Sequence, residues 1–202
     1  MAAMLLCSLS VIAHDFEVNG IYYNITSEEV KQAEVTFKGD SYNSYYDEYS
    51  GSITIPATVT HNGVAYSVTS IGEWAFYDCS SLTTITIPEG VTSIGSCAFG
   101  GCSSLTTITI PEGVTSIGEY AFWECISLTS ITLPEGVTSI ENGAFWGCSS
   151  LTAVHISNIE AWCKITFESH DSNPLSYAHN LYLNGELVTN LVIPESVTSI
   201  GN

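Results

Sequence analysis

A curved, right-handed solenoid of short parallel strands is the fold that this 202-residue sequence predicts. Three observations carry that prediction: a 23-residue period, one apolar pattern inside every period, and cysteines that mark the period without pairing. The strings CSSLTTITIPEGVTSIGSCAFGG, CSSLTTITIPEGVTSIGEYAFWE and CISLTSITLPEGVTSIENGAFWG follow one another without a gap. Cys79, Cys102, Cys125 and Cys148 keep this spacing, as do Leu82/Leu105/Leu128/Leu151, Pro88/Pro111/Pro134, Ile71/Ile94/Ile117/Ile140 and Phe76/Phe99/Phe122/Phe145. A partial copy, SITIPATVTHNGVAYSVTSIG, is stretched near Asn62-Gly63, and another, LVIPESVTSIGN, follows an interruption.

In chain order, residues 1–13 read as the apolar core of a secretory signal, with Val11 and Ala13 suiting cleavage before His14. No Lys or Arg precedes the run, and Leu6 is too bulky for a lipid anchor on Cys7. Residues 14–50 do not repeat. They predict an N-terminal cap, with a hairpin turning at Asn19-Gly20 and a polar, Tyr-rich stretch, YNSYYDEYSG.

The repeats occupy 51–156. In LTTITIP, Leu82, Ile85 and Ile87 face inward along a strand while Thr84 and Thr86 face out. Pro88 has no N–H to donate and ends the strand, and Glu89-Gly90 makes a turn. VTSIG gives a second extended piece with Val91 and Ile94 inward. CAFGGC is short enough for one helical or 3₁₀ turn, with Ala98, Phe99 and Cys102 inward. Coils stack about 4.8 Å apart, and only stacking buries the apolar face.

Residues 157–190 interrupt the pattern. Asn158 is placed to cap a short helix burying Ile159, Trp162 and Ile165, and a second hairpin turns at Asn184-Gly185. A structural insert is expected rather than a separate domain. Residues 191–202 begin a further repeat that stops before its Ala-Phe turn, so the sequence is expected to be a fragment or to pair there with another molecule.

These repeat units resemble the BspA-like branch of leucine-rich repeats, whose units read much like L-t-s-I-t-I-P-x-x-V-t-s-I-g-x-x-A-F-x-x-C-s-s. The resemblance is close from Ile71 to Leu151 and fair from Ile53 to Asn202. It implies a leucine-rich-repeat solenoid, exported or at a cell surface and mostly bacterial, with several relatives acting in adhesion, aggregation and host attachment.

The charge balance narrows the partners. Three Lys+Arg against 21 Asp+Glu give a net charge of −18 at pH 7. Nucleic acid and anionic lipid both need basic residues, so neither is expected. No other apolar run reaches the roughly 20 residues needed to span a bilayer.

Chemistry is not expected either. Stacked cysteines point their Cβ vectors in parallel, whereas a disulfide needs them converging at about 3.8 Å. Cys79, Cys102, Cys125 and Cys148 are therefore predicted as buried thiols, with Cys97 and Cys163 outside the ladder. The five histidines form no metal or nucleophile motif, Gly100-Gly101 lacks the Lys-Ser/Thr of a phosphate loop, and no cofactor is implied. The enzyme class is not expected.

Three surfaces are candidates for a protein or glycan ligand, whether matrix or cell-surface. The strand face carries Thr84, Thr86, Thr107, Thr109, Ser130 and Thr132, which also suit exposed strand positions by propensity alone. The position after each Phe reads Tyr77, Gly100, Trp123, Trp146, and Trp74 and Tyr120 precede an Ala; such rings either bind a partner or form an outer layer of core. Glu89, Glu112 and Glu135 line one turn and read as solvated. The alternative function is structural, with coils associating end to end.

Overall fold

The computed structural model describes residues 14–39, 41–42, 47–195 and 197; the predicted signal segment and half of the last partial repeat lie outside them. Two sheets run along the solenoid, and each regular coil gives one strand to each.

The first sheet opens on the predicted hairpin, β1 (Phe16–Val18) and β2 (Ile21–Ser27), turned by Asn19 and Gly20 at φ 54° and 80°. It continues through β3 (Gln32–Thr36), then β6 (Val64–Ile71), which also pairs with β5 (Thr58–His61). The two-residue strands β8 (Ser93–Ile94), β10 (Ser116–Ile117) and β12 (Ser139–Ile140) follow in parallel, each Ile beside the next. The second sheet holds β4 (Gly51–Thr54), β7 (Leu82–Thr86), β9 (Thr107–Thr109), β11 (Ser130–Thr132) and β13 (Ala153–Ile156), all parallel.

Between the sheets lies a core of stacked columns. Phe76, Phe99, Phe122 and Phe145 are fully buried, with ring centroids 5.2, 5.4 and 5.4 Å apart and planes within 8° of parallel. Tyr49 caps the stack at 4.7 Å from Phe76. Its hydroxyl donates to the Thr36 carbonyl and accepts from the Tyr22 N–H, so the first coil's open end is closed by a residue of the Tyr-rich stretch.

The cysteine column is made of free, buried thiols, as expected. They also donate: Cys102 Sγ to the Phe76 carbonyl, Cys125 to Phe99 and Cys148 to Phe122, at 3.1–3.2 Å. Burial pushes the Cys79 and Cys148 thiols up to about 12, and those of Cys102 and Cys125 well above the ordinary thiol range. Thiols held protonated in this way are neither nucleophiles nor metal ligands.

The Ala-Phe segment differs from the helical or 3₁₀ turn expected of it. Alternate amides go to different places. Ala98, Gly100 and Cys102 donate three residues back, to Gly95, Cys97 and Phe99. Cys97, Phe99 and Gly101 donate instead to Glu119, Ala121 and Trp123 of the next coil, at 2.7–2.8 Å. Because every second donor leaves the coil, no helix propagates, and the turn ridge becomes a third ladder joining coils.

The interruption proves to be an enlarged coil. Asn158 accepts from the Glu160 and Ala161 N–H groups and starts α1 (Ile159–Lys164), which buries Cys163 while Ile159 and Trp162 stay partly covered. Then β14 (Thr166–Phe167) extends the first sheet beside β12, and β15 (Leu181–Leu183) extends the second beside β13. A 3₁₀ turn at His170–Ser172 and α2 (Leu175–Ala178) replace the ridge. Its ladder keeps one backbone rung, Phe145 N–H to the Asp171 carbonyl, flanked by two from side chains: Ser169 Oγ accepts from Gly143 N–H and Tyr177 OH from Gly147 N–H. The predicted hairpin follows, β15 with β16 (Glu186–Leu187).

Replacing Phe122 by Ala should destabilise the fold by about 3–5 kcal/mol, measured by urea denaturation. Glu48 is pushed up to about 7, first by burial, against the opposing bond it accepts from Lys38 N–H. A raised carboxyl favours the fold when protonated, so its contribution is complete below the unfolded pKa and fades as pH rises through about 7. The stability difference between wild type and Glu48→Gln should therefore change between pH 4.5 and 8, with wild type losing ground as pH rises.

Candidate functional site

The ridge ladder fixes where the variable aromatics go. Each coil needs two residues with positive φ, one before Ala and one two places after Phe. The first set is Trp74, Cys97, Tyr120 and Gly143, at 53–63°; the second is Asp78, Gly101, Glu124 and Gly147, at 51–81°. A left-handed residue in a wall of turns directs its side chain away from the core, while Ala and Phe point in.

Trp74, Tyr77, Cys97, Tyr120, Trp123 and Trp146 together line a cleft of about 210 Å³ along this ridge. Small residues make the space. Gly100 sits between Tyr77 and Trp123, and the two rings lean over it to stack at 6.3 Å with planes 11° apart. A Cβ at Gly100 would meet the Tyr77 ring at 3.2 Å. At the other end Tyr120 and Trp146 lie 6.1 Å apart. Trp146 is 51% exposed, the most exposed aromatic of the cleft. The indole N–H of Trp123 is buried without a hydrogen-bond partner among the described residues.

All five aromatics singled out in the sequence thus meet in one place. Two residues were missed. Cys97 lines the cleft because it occupies the Trp74/Tyr120 column, a signal visible in the period itself. Tyr42 stacks on Trp74 at 4.0 Å and meets Tyr77 edge-on at 5.5 Å; beyond the Tyr-rich composition, nothing pointed to it.

Carboxylates adjoin the cleft residues along the chain: Glu73 and Glu119 precede Trp74 and Tyr120, and Asp78 and Glu124 follow Tyr77 and Trp123. Burial, then the charges of Glu119 and Glu73, push the Cys97 thiol up to about 11. Burial also raises Asp78, followed by the nearby Asp47 and Glu124 carboxylates.

The threonines lie elsewhere. Thr84, Thr107 and Ser130 form one column on the outer face of the second sheet, and Thr109, Thr132 and His155 the next; Thr86 pairs with Thr54. Thr84 donates to Ser52 Oγ at 2.8 Å, while Thr86, Thr107, Thr109 and Thr132 make no side-chain hydrogen bond with another described residue. Other threonines differ: Thr129 and Thr152 beside the second-sheet strands, and Thr92, Thr115 and Thr138 just before the first-sheet strands, hook onto carbonyls of the preceding coil. The row Glu89, Glu112, Glu135 does not converge. Glu135 instead accepts from Ser157 and Asn158. Among the described residues, no cluster of three or more His, Cys, Asp or Glu is placed to hold a metal ion, and no helix is long and apolar enough to cross a membrane.

Period, twin parallel sheets and stacked interior columns define a leucine-rich-repeat solenoid that displays side chains from a turn ridge. A family model for a BspA type leucine-rich repeat region of six copies matches residues 41–173, and the chain belongs to that family. A leucine-rich repeat protein from Bacteroides capillosus is 33% identical, with a TM-score of 0.59 over 71% of this chain and 98% of that one. The Treponema pallidum leucine-rich repeat protein shares the fold at 21% identity and TM-score 0.53, over 76% of this chain and 81% of that one. The pneumococcal vaccine antigen PcpA does so at 19% identity and TM-score 0.50, over 80% of this chain and 47% of its own. No curated protein of known function matches. The family is a scaffold family, and no catalytic family is indicated.

The repeat supplies its own controls. Glu124 holds a left-handed conformation that Gly101 and Gly147 adopt in neighbouring coils. Glu124→Gly should therefore raise stability by up to about 1 kcal/mol, read as an upward shift in the thermal midpoint; a fall would show that the Glu124 stem packs usefully over Gly147.

Proposed function

We propose that this chain is a non-enzymatic binding scaffold, secreted or displayed at a cell surface, that recognises a protein or glycan through its aromatic cleft. The observation that carries this reading is the cleft itself: five aromatic side chains gathered at ridge positions that the repeat leaves free to vary. Tyr and Trp at such positions combine a large apolar area with few rotors to immobilise, which is why they dominate binding hot spots. The apolar run at 1–13, the family and the strongly acidic surface all support an exported protein. Adhesion to a host or matrix surface is the specific role this reading favours.

The test is a screen of the folded protein, from His14 onward, against immobilised matrix proteins and a glycan array. A saturable hit should weaken at least tenfold in Trp123→Gly/Trp146→Gly, whose thermal midpoint stays near wild type because Gly100 already stands in that column. Undiminished binding by this variant would remove the cleft from the function and leave the threonine face to be mapped.

A further inference from the structure

We propose that the aromatic cleft takes a cationic side chain, arginine foremost, from an extended basic segment of a partner protein. The proposal rests on the cleft being the binding site and names what fills it. Size comes first: about 210 Å³ falls below the roughly 300–1,000 Å³ of pockets that enclose whole drug-sized ligands. That is room for one long side chain.

The walls come next. Trp74, Tyr77, Tyr120, Trp123 and Trp146 surround the space, and the face of an aromatic ring carries the negative lobe of its quadrupole. A guanidinium or ammonium group over such faces is attracted, more strongly as water is excluded. Full negative charge stands next to these walls in the chain: Glu73 and Glu119 just before Trp74 and Tyr120, Asp78 and Glu124 just after Tyr77 and Trp123. Two of them are felt at the cleft lining, since the charges of Glu119 and Glu73 act on Cys97, and Glu124 lies near enough to Asp78 to act on it.

Among the described residues, no lysine is paired with one of these four carboxylates. Lys31 pairs with Glu28 at 3.0 Å, Lys164 pairs with Glu160 at 2.7 Å, and Lys38 lies 5.9 Å from the Tyr22 ring. Those three residues are the chain's whole complement of Lys and Arg, against a net charge of −18. An anionic ligand would be repelled along the ridge, and a neutral one would draw no attraction from these four carboxylates. Arginine fits both parts at once: its plane stacks on rings while its edge donates to carboxylates in pairs.

The test titrates the folded protein with an Arg-Gly-Arg-Gly-Arg peptide and its glutamate counterpart, following Trp fluorescence and calorimetric heat. The arginine peptide should bind saturably and quench the Trp signal; the glutamate peptide should do neither. Asp78→Gly/Glu124→Gly should weaken binding at least tenfold. Its fold is safe, because glycine already occupies that position in alternate coils. Glu89→Gln/Glu112→Gln makes the same change in net charge at a different turn and should stay within twofold of wild type. Tyr77→Gly/Trp123→Gly, with every charge intact, should also lose at least tenfold. Equal loss in both charge pairs would reduce the effect to general attraction and overturn the proposal, as would no saturable binding or an unaffected aromatic variant. A ligand from the screen that needs the rings but tolerates Asp78→Gly/Glu124→Gly would overturn cation recognition while leaving the cleft's role standing.

Discussion

The alternation of amide donors along the turn ridge is the constraint on which the architecture turns. A helix at Ala-Phe would satisfy those N–H groups within the coil and leave neighbouring coils joined only by strands, some of them two residues long. Sending every second donor outward ties each coil to the next at Cys97, Phe99 and Gly101, and at their equivalents. The geometry demands two left-handed residues per coil. That demand carries strain wherever the residue is not glycine, yet it sets Ala and Phe inward and their neighbours outward. The cleft is a product of this backbone pattern before it is a product of its aromatic residues.

The interior answers the same constraint. Phenylalanine rings repeat at nearly the coil spacing because translation along the axis brings each to lie flat on the last. Cysteine suits the position beside them for a similar reason. Its thiol is small and apolar enough for a dry core, and it can still donate weakly to the Phe carbonyl of the preceding coil. The enlarged coil at 157–190 keeps what the stack needs, β14 and β15, and substitutes Ser169 and Tyr177 side chains for the missing ridge carbonyls. Whether a segment belongs to the solenoid is thus decided by hydrogen-bond partners rather than by likeness of sequence.

Much of this was legible in the sequence, because translation symmetry turns one unit's apolar pattern into a column. Phe76 through Phe145, the cysteine ladder, both Asn-Gly hairpins and the Asn158 cap all followed from local chemistry repeated or placed at a boundary. The ridge geometry was not legible. Trp74, Tyr120, Asp78 and Glu124 are not residues that announce positive φ, and only Gly101, Gly143 and Gly147 hint at it. One strand of the insert, β14, was hidden for a different reason: the two residues Thr166–Phe167 are too few to show a period. Tyr42 was invisible because its contact with Trp74 depends on how the N-terminal unit folds back.

One consequence of the three ladders is mechanical. The parallel pairings of both sheets and every second ridge amide run from coil to coil. Tension along the axis is carried in series, so every junction bears the same load and the stack parts first at its weakest one. A sideways pull at the ridge instead loads the ridge row and both sheets of a junction in shear.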